Sequence, residues 1–88
     1  MKVVNLRKEK YTHYIGRGSA FGNPFRIGKD GTREDVIWKY IKWIQFQPKI
    51  REEIYKLPSE AILGCYCAPQ NCHGDIIIKI WKDLHHEM

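Results

Sequence analysis

All three cysteines and one of the four histidines fall between Cys65 and His73, inside the stretch GCYCAPQNCHGD (Gly64–Asp75). Thiols and an imidazole this close together can hold a metal, form a nucleophile with its base, or cap a turn. On a strand, Cys65 and Cys67 share one face and Tyr66 takes the other. The spacing C-x-C-x4-C-H lacks the C-x2-4-C knuckle of common zinc modules, so a metal is not favoured. Zinc on Cys65, Cys67, Cys72 and His73 stands as the alternative. Cys72 precedes a helix, where the positive end of the dipole and a nearby His73 or Arg17 lower a thiol pKa and favour the nucleophilic thiolate. His73 titrates near neutrality and suits general acid–base work. Asp75 can cap that helix or receive a sugar hydroxyl, and Gly74 lets an anion approach free backbone N–H groups. The candidate catalytic residues are thus Cys72, His73 and Asp75. The opposing reading makes at least one of Cys65 and Cys67 a small hydrophobe at the edge of the core.

A second segment carries different chemistry. GRGSAFGNPFRIGKDGT (Gly16–Thr32) holds five glycines and a proline and shows no helical or strand period. Long ordered loops in small domains are usually functional. Gly16 and Gly18 leave backbone donors unshielded. Arg17 and Arg26 offer paired donors to phosphate or carboxylate, Ser19 adds a hydroxyl, and Asn23 before Pro24 fixes a turn. Phe21 and Phe25 can anchor the loop or stack on a flat ring. The pattern is neither a P-loop nor a dinucleotide fingerprint. The competing reading is a structural Ω-loop pinned by its two phenylalanines.

The elements that position these segments follow from periodicity. Lys2–Leu6 and Thr12–Gly16 read as short strands, and Glu60–Cys67 as a buried one bounded by Pro58 and Pro69. Thr32 with Asp35 makes a variant capping box that opens a helix to about Gln47. Ile37, Tyr40, Ile41 and Ile44 lie along one stripe of it, with Val36 and Trp43 beside them. Trp38 and Phe46 fall off that stripe. They must meet another element, a homodimer partner or a host protein, or remain exposed. Pro48 suits the first turn of a shorter helix, Pro48–Leu57. A last helix follows Asp75, burying Ile77, Ile80, Trp81 and Leu84. The order is β-β-α-α-β-α: an α/β class with a small, three-stranded, at least partly parallel sheet flanked by helices. A helical crossover between the second and third strands implies parallel pairing, which puts the loops after both strands at one end of the sheet. A cleft between loops 16–32 and 68–74 is the expected result.

With 88 residues the chain is read as one domain, residues 1–88, with one small core. The opening MKVVNLRKEK lacks the apolar run of a signal peptide, and no stretch suits a membrane span, so a cytoplasmic location is expected, in the host cytoplasm if the source is viral. An odd cysteine count disfavours a fully paired secreted scaffold. The formal charge of +5 favours anionic partners. Lys39, Lys42, Lys79 and Lys82 account for part of that charge on outer helix faces.

VVNLR (Val3–Arg7), YIGRGSAFGNPF (Tyr14–Phe25), GTREDVIWKY (Gly31–Tyr40) and LGCYCAPQNCHGD (Leu63–Asp75) together resemble a family of small prokaryotic and viral proteins designated domain of unknown function 4326. The resemblance runs through nearly the whole chain and implies a compact α/β fold. It carries motif positions onto Asn5, Arg7, Gly16, Arg17, Gly22, Asn23, Pro24, Cys65, Cys67, Pro69, Cys72, His73, Gly74 and Asp75. A looser similarity to a second uncharacterised family places Cys-His-Arg where this chain has Cys72-His73-Gly74.

The residues therefore point to a small anionic, nucleotide-like or phosphorylated ligand, held by Asn5, Arg7, Gly16, Arg17, Gly18, Ser19, Asn23 and Gly74. Catalysis there would be transfer or hydrolysis at a nucleotide or nucleoside. The alternative is a non-enzymatic nucleic-acid-binding protein, with or without a zinc staple, in which Arg7, Arg17, Arg26 and the loop aromatics meet phosphates and bases.

Overall fold

The fold is given by a computed structural model, which describes residues 1–66 and 73–86. Three strands, β1 (Lys2–Asn5), β2 (His13–Tyr14) and β3 (Ile62–Cys65), form one parallel sheet in the order β1-β3-β2. Val3 pairs with Leu63 and Asn5 with Cys65 on one side, His13 with Leu63 and Tyr14 with Gly64 on the other. Central β3 is the apolar strand, and its Leu63 and Cys65 are buried. The α/β class and the parallel crossover agree with expectation. The third strand is shorter than Glu60–Cys67: regular pairing covers Ile62–Cys65 only.

A short return from β1 to β2 has to cross the face of β3 to keep both outer strands parallel to it. Gly64 makes that crossing possible. A Cβ there would lie 2.6 Å from Tyr11 Cγ, so the absent side chain is the space through which residue 11 passes. Thr12 then joins the sheet through its N–H to the Ile62 carbonyl (2.8 Å).

Helices α1 (Arg33–Ile44) and α2 (Pro48–Tyr55) make up the crossover, and α3 (His73–His86) closes the fold. Thr32 caps α1 as expected. Its hydroxyl accepts from the Asp35 N–H at 3.3 Å, and the Asp35 carboxylate accepts from the Thr32 N–H at 2.9 Å. These bonds hold the Asp35 carboxyl below its ordinary range. α1 stops three residues before the expected Gln47. Phe46 and Gln47 turn back onto the carbonyls of Trp43 and Ile44, and Gln47, preceding Pro48, takes an extended φ of −117°.

Buried Tyr40 and Ile44 join Ile54, Leu57, Leu63, Ile77 and Ile80 in the core, Val36 is buried one turn earlier on α1, and Trp81 and Leu84 pack against the core's rim. The start of α3 corrects one expectation. His73 is its first described helical residue, so Asp75 sits within the first turn and is not the cap. Gly74 lies where the helix meets the sheet. A Cβ there would approach Ile15 Cδ1 and Val3 Cγ2 at 2.8 Å, so close helix–sheet packing accounts for the glycine. Trp38 (57%) and Phe46 (82%) remain exposed, and Lys42 lies over the Trp38 ring, 4.9 Å from its centroid. No helix among the described residues is long and apolar enough to cross a membrane.

Candidate functional site

The loop from Gly16 to Thr32 is held by its own polar groups. The Ser19 hydroxyl donates to the Gly16 carbonyl at 2.7 Å, and the Tyr14 hydroxyl to the Arg17 carbonyl at 2.8 Å. Asn23 reaches in both directions. Its amide donates to the Val36 carbonyl on α1 at 3.0 Å, and its side-chain oxygen accepts from the Phe25 N–H at 2.9 Å. Tyr40, fully buried, donates to the Phe21 carbonyl at 2.9 Å and fastens the middle of the loop to the core. Asp30 accepts from the Arg26 N–H at 2.8 Å. The loop is ordered by bonds to α1 and to itself; of the two phenylalanines of the Ω-loop reading, Phe21 packs at the core edge and Phe25 lines the cleft.

That ordered loop walls a cleft of about 420 Å³ at the carboxyl end of the sheet. Gly16, Arg17, Asn23, Phe25, Arg26 and Ile27 line it from the loop, Arg33, Val36 and Ile37 from α1, Cys65 and Tyr66 from the end of β3, and His73 from α3. Among these residues three are arginines and none is Asp or Glu. The Arg17 and Arg26 side chains make no ion pair or hydrogen bond among the described residues. Phe25, Ile27, Val36 and Ile37 contribute apolar side chains to the same lining. The lining therefore combines cationic and apolar side chains.

His73 is buried and lines this cleft. Its Nε2 lies 2.6 Å from the Ile15 carbonyl, and its ring meets Tyr40 edge to face at 5.2 Å. A carbonyl only accepts, so Nε2 carries the proton of that bond. Burial pushes the imidazole below its ordinary value, with the Ile15 carbonyl opposing the shift. The ring is therefore neutral at physiological pH, and it ties the first turn of α3 to the end of β2.

The other predicted site residues divide clearly. Gly16, Arg17, Asn23, Cys65 and His73 are brought together in the cleft. Ser19 spends its hydroxyl inside the loop, and Gly18, at φ +91°, forms an exposed turn. Gly74 packs against the sheet, and Asp75 is exposed and absent from the cleft lining. Asn5 and Arg7 stand outside the cleft. The Asn5 side-chain oxygen accepts from the Arg7 N–H at 2.9 Å, and the Arg7 guanidinium lies 5.0 Å from the centroid of the Tyr66 ring. Cys67, Cys72 and the 68–72 part of the second loop lie outside the described residues. Among the described residues no group of three or more His, Cys, Asp or Glu side chains is placed to hold a metal.

Five lining residues are not among the candidates read from the sequence: Arg33, Val36, Ile37, Tyr66 and Ile27. The signal for the first three was present. Arg33, Val36 and Ile37 recur at i, i+3 and i+4, and the helix begins where the glycine loop ends. Strand alternation predicts Tyr66 on the face opposite Cys65. Regular pairing stops at Cys65, so alternation no longer governs the next residue, and both line the cleft.

Comparison with known proteins gives relatives of viral origin. An uncharacterised 12.4 kDa protein from the nrdA-td intergenic region of Enterobacteria phage T4 is 41% identical over 89 residues, covering 94% of this chain and 79% of that protein. Uncharacterized protein R718 of Acanthamoeba polyphaga mimivirus is 34% identical over 87 residues, covering 78% of this chain and 65% of the relative, slightly under two thirds of its length. No solved structure matches the chain. The model of the family described as Domain of unknown function (DUF4326) matches residues 2–83. The chain therefore belongs to the DUF4326 family.

Proposed function

We propose that the cleft binds a small phosphorylated, nucleotide-like ligand. One observation carries the reading: three arginines and no carboxylate are found among the described residues lining a recess of about 420 Å³. A recess of that size holds a mononucleotide. Arg17 and Arg26 would meet the phosphate from the loop and Arg33 from α1, while Phe25 and Ile37 would take the flat ring. Ser19 and Asn23 act one step back, by keeping the loop in shape. Binding requires neither His73 nor Asp75 to react, so catalysis by Cys72, His73 and Asp75 would be an addition to it.

Calorimetric titration with nucleoside 5′-monophosphates, and with the matching nucleosides, tests the reading. The monophosphates should bind and the unphosphorylated nucleosides should bind at least about tenfold more weakly. Removing one exposed arginine, Arg17→Ala or Arg26→Ala, should cost about 1 kcal/mol, or roughly fivefold in affinity, because solvent screens a rim contact below the strength of a buried charge-assisted bond. Equal binding of phosphorylated and unphosphorylated forms, or no binding of either, overturns it.

A further inference from the structure

Outside the cleft, the turn after β1 carries a cationic surface. Arg7, Lys8 and Lys10 project from the turn after β1, with Glu9 as the only carboxylate of that turn, and residues Leu6–Tyr11 line a shallow depression there. This turn joins the cleft through a shared aromatic. Tyr66 lines the cleft, is 55% exposed, and carries the Arg7 guanidinium at 5.0 Å from its centroid. The pair is fixed by backbone. Leu6 donates to the Cys65 carbonyl at 3.1 Å, Lys8 to the Asn5 carbonyl at 2.9 Å, and Arg7 to the Asn5 side chain at 2.9 Å. Arg7 is thus held over Tyr66 by the ends of two adjacent strands.

A series of guanidinium, aromatic ring, guanidinium and lysines is more than one nucleotide needs. It is what a single strand needs: a charged track for successive phosphates and an aromatic platform for a base. Resting on the cleft's nucleotide reading, we infer that the bound nucleotide belongs to a single-stranded nucleic acid. One nucleotide sits in the cleft, the neighbouring base stacks on Tyr66, and the backbone then runs along Arg7, Lys8 and Lys10. A duplex does not fit the scheme, because its bases are already stacked and paired.

Fluorescence anisotropy with a labelled twelve-nucleotide single strand, as DNA and as RNA, against a nucleoside monophosphate and the corresponding duplex provides the test. The single strand should bind at least tenfold more tightly than the monophosphate and than the duplex. The double variant Lys8→Gln/Lys10→Gln should weaken the strand several-fold and leave the monophosphate unchanged. It should also flatten the dependence of log affinity on log salt by about 1.4, since each single-strand phosphate contact contributes about 0.7. Lys8→Arg/Lys10→Arg should restore both. A strand that binds no better than the monophosphate, or an unaltered salt slope in the glutamine variant, overturns the inference while leaving the cleft reading intact. Failure of both monophosphate and strand removes the two together. Strand binding that survives Arg17→Ala/Arg26→Ala unchanged also overturns it, because the strand then does not enter the cleft.

Discussion

His73 offers a prediction in which burial, hydrogen bonding and pH bear on one side chain. Replacing it by Phe keeps an aromatic ring, slightly larger than the imidazole, beside Tyr40, whose centroid lies 5.2 Å away. It removes the donor that meets the Ile15 carbonyl at 2.6 Å in a buried setting. Leaving such an acceptor without its donor costs about 1–3 kcal/mol. Taking about 2 kcal/mol, a domain of this size should lose on the order of 10 °C in Tm. The pH dependence follows from the lowered pKa of the folded state. An unfolded His73 takes up its proton near 6.5, whereas the folded ring does so at a lower pH. The stability given by the neutral ring is therefore complete above pH 6.5 and is lost as pH falls towards the folded value. Urea denaturation of both proteins at pH 7.5 and pH 5.0 measures the effect. The gap between wild type and His73→Phe should be largest at the higher pH and shrink at the lower, with the remaining histidines cancelling in the difference. A gap that stays constant or widens on acidification would refute the burial of this imidazole and its role as the tie between α3 and β2.

Two further substitutions test the framework of the cleft. Gly74→Ala would place a methyl at 2.8 Å from Ile15 Cδ1 and Val3 Cγ2, and overpacking there should cost about 1–3 kcal/mol, offset by less than about 1 kcal/mol of helix propensity. A net loss in chemical denaturation supports the close helix–sheet contact, and a gain contradicts it. Thr32→Ala removes the cap that begins α1 beside Arg33 and should cost about 1 kcal/mol of stability. The same variant should lower monophosphate affinity modestly, because Arg33 and Ile37 follow the first turn of that helix into the cleft.

Much of this arrangement was legible in the sequence, and the gaps have physical causes. Thr32 and Asp35 mark the start of α1 by chemistry that acts over three residues, and Ile77 and Ile80 reveal the buried face of α3 by spacing alone. The parallel sheet followed from the helical crossover. The passage of Tyr11 over Gly64 was not legible, because it depends on which strand is central. The start of α3 is not fixed by the sequence, because Asp75 is as suited to the first turn as to the cap. In the candidate site, the arginines of the glycine loop stand out by residue type, whereas Arg33 begins a helix whose periodicity reports only its apolar stripe. Asn23 and Ser19 have the residue types of ligand contacts, yet their polar atoms hold the loop.

The arginine-lined recess is the proposed binding place of a phosphorylated ligand. A titration of the labelled protein with a nucleoside 5′-monophosphate, followed residue by residue in amide NMR spectra, addresses it most directly. Saturable shifts should concentrate at Gly16, Arg17, Arg26, Arg33 and Tyr66, with the α2 amides of Lys49–Glu53 unmoved. Shifts confined to α2 or spread evenly over the surface, or no shifts at millimolar ligand, would contradict it.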